Sequence, residues 1–421
     1  MSSYNSDELE APAWINQEFL QEVLTKYENK GKVEIINHDL KPASMKGDHY
    51  ASVMFRCKVE YRFVENASFK SMSFIIKTLP MQEGMKREML METTFFENEI
   101  AMISDMLPKI EEILKDCGEA TKMAAGIIYH SLQPHKVIIL EDLCESGYDT
   151  IRGRHLTEFE IKAVYRKLAK LHAVSYMLGQ SDSAELVTKF QDGFLSSSVP
   201  SLKDIFPNGM KNFLNVLSSN DEFAIYYERV KEMQGDIEQA SKNLFNAYTL
   251  NRGQGDIFVL NHGDFHMKNL MFKFNADNVM EDMVMVDYQL SCFAPSTIDL
   301  VYSQYMLLSP EFRRRRHEFM LYYFTEFLKI LKKLQFLGEM PKYSQFQIAN
   351  LKYRHFTLYV LAIIFPLVLD NFTKTAEELK DEDFNEMIEN PDVNASNYMR
   401  PVFIEEMREM MPILLREGYL D

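Results

Sequence analysis

Leu260-Asn261-His262-Gly263-Asp264-Phe265-His266-Met267-Lys268-Asn269, with Met285-Val286-Asp287-Tyr288-Gln289 beginning sixteen residues later, decides how this chain reads. An apolar run ends in His-Gly-Asp, and Asn269 follows Asp264 by five positions. A second β-like run, Val284-Met285-Val286, is closed by Asp287. Phosphoryl transfer from a nucleotide needs a carboxylate to orient the attacking hydroxyl and accept its proton, and oxygen ligands for magnesium. Asp264 fits the first role, and Asn269 with Asp287 fits the second. Asp264 and Asn269 share one short loop, and Asp287 stands at the end of the neighbouring strand, so all three are expected to face one cleft. An Asp-x4-Asn match alone is common. The two flanking β-like runs and the second Asp argue against a surface turn whose Asp merely caps a helix.

The same chemistry needs a cation on the phosphates and an acid to hold that cation. Ser73-Phe74-Ile75-Ile76-Lys77 is a β-like run ending in lysine. Taken singly, Lys77 reads as a solvated strand-end residue; its place upstream of the loop makes it the candidate phosphate ligand. Met91 to Ile103 carries Phe96, Ile100 and Ile103 at helical spacing, which predicts one amphipathic helix. Glu99 flanks that stripe and is the expected partner of Lys77, with Glu97 as the competitor. Before Lys77, the segment around Gly47 and Ser52 reads as a turn between strands whose amides approach phosphate. It holds a single glycine, however, and an ordinary hairpin fits equally well.

These motifs, with Gly47-Asp48-His49-Tyr50-Ala51-Ser52, Leu140-Glu141-Asp142-Leu143 and Leu168-Ala169-Lys170-Leu171-His172-Ala173, resemble the ecdysteroid kinase-like family, which is grouped with choline kinases and aminoglycoside phosphotransferases. The resemblance implies an α+β, two-lobed, protein-kinase-like fold with a small β-rich lobe and a larger helical one. It implies transfer of the γ-phosphate of ATP, with Mg2+, to a hydroxyl of a small molecule such as an ecdysteroid, a related sterol or a foreign compound. The family often carries an aromatic residue where Ile103 stands and a phosphate loop richer in glycine. By the same resemblance adenine meets the backbone edge from Leu140 to Leu143, with Glu141 and Leu143 as candidates, and Asp299 braces the catalytic loop, with His262 in a similar supporting part. Asp299 alone reads equally as a helix cap.

The expected organisation is a leading helical segment over 1–30, a nucleotide-binding lobe over 31–141 and a catalytic lobe over 142–421. Strand-like runs are expected near Val33 to Ile36, Ser52 to Tyr61, Met72 to Lys77 and Val137 to Leu140. Glu158 to Met177 is expected to be a helix containing a structural His172. A helical insert over about 180–256 holds Phe194, Phe206, Phe213, Phe223 and Tyr226. Such side chains suit an apolar acceptor pocket, or simply fill a core. Alternatives are a choline-, ethanolamine- or aminoglycoside-type kinase, or a binding protein that keeps the fold without transfer. Retention of Lys77, Glu99, Asp264, Asn269 and Asp287 together argues for the enzyme.

With 421 residues and a net charge of −16, the chain holds a large core and is ill suited to a nucleic-acid backbone. Arg313-Arg314-Arg315-Arg316 reads as the wet face of a helix. Cys57, Cys117, Cys144 and Cys292 are scattered without metal-ligand spacing. The apolar run Tyr359 to Leu369 is too short to span a bilayer and reads as a buried helix. The polar, acidic start does not read as a signal peptide, so the expected compartment is the cytoplasm.

Overall fold

Val53, Phe55, Cys57, Val59, Tyr61 and Phe63 are all buried and alternate with Met54, Arg56, Lys58, Glu60 and Arg62. Period-two burial is the signature of a strand with one covered face. In the computed structural model, which describes residues 9–45, 52–65, 68–196, 203–250, 255–369 and 391–421, this strand lies second in a five-stranded antiparallel sheet. The strands are β1 (Val33–Pro42), β2 (Val53–Phe63), β3 (Phe69–Thr78), β4 (Ile127–Ser131) and β5 (Val137–Glu141), in the order β1-β2-β3-β5-β4. Gly47 lies outside the described residues. Helix α1 (Gln17–Glu28) covers one face, its Leu20, Val23 and Leu24 sharing a core with Phe55 and Tyr61. Asn16 accepts the amide of Phe19 at 3.0 Å and so starts the helix three residues beyond Trp14, which instead stacks on His135.

The single helix expected over Met91 to Ile103 is two. Helix α2 (Met85–Glu92) ends at Thr93, which is extended, and α3 (Phe95–Ala101) runs into a wide turn at Met102–Met106 and then α4 (Leu107–Asp116). Two consecutive threonines, stiff at χ1 and weak helix formers, supply the break. Phe95 and Phe96 pack on Ile138 of the sheet, whereas Met102, Ile103, Ile110 and Leu114 belong to the large core. Glu99 therefore does not flank the buried stripe but lies inside it, 1% exposed.

The remainder is mostly helical around short strands. Helix α5 (Glu158–Gly179) opens with a capping box between Thr157 and Glu160 and packs along the helix Arg316–Lys333. Strands β6 (Tyr148–Asp149), β8 (Leu270–Phe274) and β9 (Met280–Met285) form one sheet, and β7 (Phe258–Asn261) pairs with β10 (Cys292–Pro295) in another. The strand that ends before Asp287 is thus the partner of β8, not of the strand that leads into His262. The loop from His262 to Asn269 joins the two sheets.

The arginine run is a wet face only in part. Arg314 is exposed and Arg315 half-exposed, but Arg313 and Arg316 are buried and pair with Glu406 and Glu417, while Arg314 pairs with Glu409, which clamps the C-terminal helix Pro401–Arg416 and the residue after it to the large helical region. Sequence periodicity could not show this, because the acids lie about ninety residues or more away. Among the described residues no single helix is long and apolar enough to cross a membrane. A bent pair, Tyr343–Lys352 with Arg354–Val368, passes by length and composition, but it breaks by 58° and Leu358, Leu361 and Phe365 are buried in the large core.

Candidate active site

Antiparallel register sets Ile75 opposite Leu140 and Lys77 opposite Met54 and Ile138. Ile75 and Lys77, two residues apart, leave the sheet on the same side, and both line a cavity of about 290 Å³ between the sheet and the catalytic loop. Its apolar walls include Met54, Ile75 and Leu140 from the sheet and Met271 and Val286 from below; Lys77, Glu99, Asn269 and Asp287 line its polar end. Glu141 and Leu143 also line it, although the Glu141 carboxylate is taken by Lys122 at 2.6 Å.

Lys77 Nζ donates to Glu99 Oε2 at 2.6 Å and to Asp287 Oδ1 at 2.8 Å, with the lysine and Glu99 side chains almost fully buried. Glu97, the competitor, points elsewhere and meets Lys136 at 3.1 Å. Burial works against the Lys77 charge, but Asp287 and Glu99 outweigh it and hold the lysine above its ordinary range. Burial above all, with Asp287 adding to it, pushes Glu99 up to about 7 against the pull of Lys77. Asn98 fixes this assembly, donating to the carbonyls of Gln289 at 2.9 Å and Ser291 at 2.8 Å, so that α3 is pinned to the segment just after Asp287. Asn98 was missed from sequence; an asparagine inside a helix, against propensity, was the available signal.

Asp287 itself is left-handed, at φ 65° and ψ 65°, which turns the chain sharply at the end of β9. Aspartate tolerates that region better than most residues, and such conformations gather at functional sites. The loop from His262 to Asn269 touches this turn. Gly263 has φ +85°, and a Cβ there would stand 2.0 Å from the Leu290 carbonyl oxygen, so no side chain fits. Asp299 accepts the amides of His262 at 2.6 Å and Gly263 at 2.9 Å, and His172 Nε2 lies 3.1 Å from the same carboxylate. His262 donates from Nε2 to the Val286 carbonyl at 2.9 Å; burial pushes its pKa down and keeps it neutral.

Asp264 is held on both oxygens. Asn269 Nδ2 donates to Oδ2 at 3.0 Å, His266 Nε2 lies 3.3 Å from the same oxygen, and Tyr302 donates its hydroxyl to Oδ1 at 2.9 Å. Burial raises the Asp264 pKa, but the attraction of His266 and the hydrogen bonds from His266 and Tyr302 outweigh it and hold the carboxyl well below the usual range. The Asn269 amide nitrogen also donates to the Asp264 carbonyl at 2.9 Å, which leaves the amide oxygen as its remaining ligand atom. That oxygen with the Asp287 carboxylate is a hard-donor set of the kind magnesium takes.

The profile of the ecdysteroid kinase-like family matches residues 46–336, more than half of the chain and all of the residues just described. The chain belongs to the ecdysteroid kinase-like family. No curated protein matches it. This family member is similar to a spectinomycin phosphotransferase solved with ADP and spectinomycin, at 16% identity over 93% of this chain and 97% of that chain, with a TM-score of 0.45. It is similar also to an ethanolamine kinase of Plasmodium vivax, at 11% identity over 90% and 85% with a TM-score of 0.31. A macrolide 2'-phosphotransferase from Brachybacterium faecium gives 11% identity over 82% and 93% with a TM-score of 0.33.

Sequence reasoning did not find Tyr302 or His266 as partners of Asp264, nor the partners of Asp142 within the motif Leu140 to Leu143. Asp142 accepts from Arg56 Nε at 2.8 Å and Ser73 Oγ at 2.6 Å and so ties β2 and β3 to the chain leaving β5. Nothing local marks such a residue, because its partners come from other strands. Of the aromatic side chains considered for an acceptor pocket, Phe213 packs on Phe403 and Phe223 is buried in the core, while Phe206 stacks on Tyr359.

Proposed function

We propose that this protein is an ATP- and magnesium-dependent kinase that transfers the γ-phosphate to a hydroxyl of a small apolar acceptor of the ecdysteroid, sterol or foreign-compound class. The observation that carries the reading is the buried lysine bridging two acids at 2.6 and 2.8 Å on the wall of a cleft, with a third, separately held carboxylate just beyond Asn269. A binding protein gains nothing from burying that charge, since burial costs several kcal/mol per ion unless the partners compensate.

In this reading Lys77 grips the phosphates and Glu99 keeps it aimed when Asp287 turns to its other duty. Asn269 and Asp287 would hold magnesium, which neutralises charge on the phosphates and orients them. Asp264 orients the acceptor hydroxyl. Its depressed pKa makes it a weak base that stays ionised, which suits a loose transition state in which the proton leaves late. Asp299 is a positioning residue acting through the His262 and Gly263 amides. Ile75 and Met271, on opposite walls of the cleft, would flank adenine, and the backbone edge from Leu140 to Leu143 would meet it. The small lobe ends at Glu141 in this reading, and the compartment is the cytosol, consistent with four free cysteines.

The test is transfer of labelled γ-phosphate from ATP to a panel of ecdysteroids, sterols and amino alcohols, with Asp264→Asn as control. Label on an ecdysteroid or sterol that vanishes in the control is expected. Label on an amino alcohol alone would move the acceptor to the choline and ethanolamine class.

A further inference from the structure

Tyr302 stands at a point that the mechanism leaves unexplained. Its hydroxyl occupies Asp264 Oδ1 at 2.9 Å, while Oδ2 is already engaged by Asn269 and His266. Oδ1 is therefore the oxygen an acceptor hydroxyl must reach, and a phenol is on it. Every other residue of the helix Thr297–Met306 is buried, whereas Tyr302 is half-buried, its ring packed on the large core and tilted against that of His266 at 6.4 Å between centroids.

A hydroxyl kinase faces a competing acceptor at very high concentration, namely water. A carboxylate that orients an alcohol orients water as readily. We propose that Tyr302 is the acceptor-side guard of Asp264: its hydroxyl holds Oδ1 when no acceptor is bound, which denies that oxygen to water, and an acceptor hydroxyl displaces it. The inference rests on the kinase reading above and deepens it. A hydroxyl-bearing acceptor replaces one O–H donor on Oδ1 by another, so the exchange conserves hydrogen bonds. An acceptor lacking a hydroxyl there leaves the guard in place.

The experiment compares wild type, Tyr302→Phe, Asp264→Asn and the Tyr302→Phe, Asp264→Asn double variant. Magnesium-ATP hydrolysis is measured without acceptor, and phosphate transfer to the panel with it. Tyr302→Phe keeps the ring and its packing. It is expected to hydrolyse ATP without acceptor about tenfold faster than wild type, to lose that gain in the double variant, and to bind nucleotide unchanged. Its KM for a productive acceptor should fall while kcat stays within a few-fold, a split that a structural defect would not produce. Transfer to acceptor by both proteins, with Tyr302→Phe hydrolysing ATP no faster than wild type, overturns the guard and leaves the kinase reading intact. Phosphate found on Tyr302 itself would also overturn it, since the phenol would then be an acceptor. All proteins binding nucleotide but inert with ATP alone and with every acceptor would overturn the kinase reading, and the guard with it.

Discussion

The two acidic centres of the cleft are built in opposite ways. Around Lys77, three side chains from β3, α3 and the turn after β9 are brought together across as many as 210 positions of sequence, and their mutual charge is what holds them. Around Asp264, the loop is prebuilt within the large lobe: amides held by Asp299, a glycine at a forced φ, and side-chain donors from the loop itself and one adjacent helix. The first centre depends on the small sheet meeting the large lobe; the second does not. A charge cluster assembled from both lobes can respond to a ligand, whereas a braced loop presents one fixed geometry.

The sharpest way to break this contrast is Asp264→Asn. Transfer should fall by about 10²–10⁴-fold, with thermal stability and nucleotide affinity close to wild type in calorimetry, because the loop keeps its backbone braces. A large loss of stability would show that the catalytic loop is held by its charge after all.

Lys77→Met should behave in the opposite sense. It leaves the buried Glu99 beside the half-buried Asp287 with no cation between them, and removal of one partner from a buried ion pair costs about 3–5 kcal/mol. Chemical denaturation should show that loss, and adding Glu99→Gln to the variant should restore part of it. Equal stability of the single and double variants would mean that the cluster is not held by charge.

A pH titration sharpens the comparison further. Glu99 is pushed up to about 7, chiefly by burial and next by Asp287, against an unfolded value near about 4.3. As pH rises through that window the unfolded chain gives up its proton first, so this group's contribution to stability falls between the two values. Asp287→Asn should flatten the fall, and infrared spectroscopy of the carboxyl band should show Glu99 titrating lower in that variant. Asp264 moves the other way: its carboxyl is held low, so it stays ionised throughout this window and adds no slope there.

The smallest effect is expected at the hinge. Arg56→Ala removes one of the partners of Asp142 but leaves Ser73 Oγ and the Cys144 amide on it. A loss of about 1–2 kcal/mol in stability with a few-fold weaker nucleotide binding by calorimetry is expected, and unchanged binding would place this contact outside the nucleotide response.

Much of the site could be read because local pattern carries it. The phase of Phe96, Ile100 and Ile103 favoured Glu99 over Glu97, and the side-chain distances agree even though the helix is split at Thr93 and Thr94. The alternation in β2 and the capping box at Thr157 and Glu160 are likewise local, and both elements formed where periodicity put them. Residues whose partners are distant left no such trace. The partners of Asn98, Asp142, Tyr302 and the arginines at 313–316 could not be read, because each comes from another element.

By itself the sequence determined the chemical inventory of this protein: a lysine, a helical glutamate, a His-Gly-Asp loop with its asparagine and a final aspartate, each attached to an element of recognisable period. Periodicity and turn chemistry are set by neighbours within a few residues, so they survive in a bare string. Only the tertiary structure decided the order of the strands in the five-stranded sheet, that Arg313 and Arg316 face inward onto the C-terminal segment, and that a tyrosine from the helix Thr297–Met306 covers the open oxygen of Asp264. Those contacts join residues tens to hundreds of positions apart, and no local preference encodes a partner at that range.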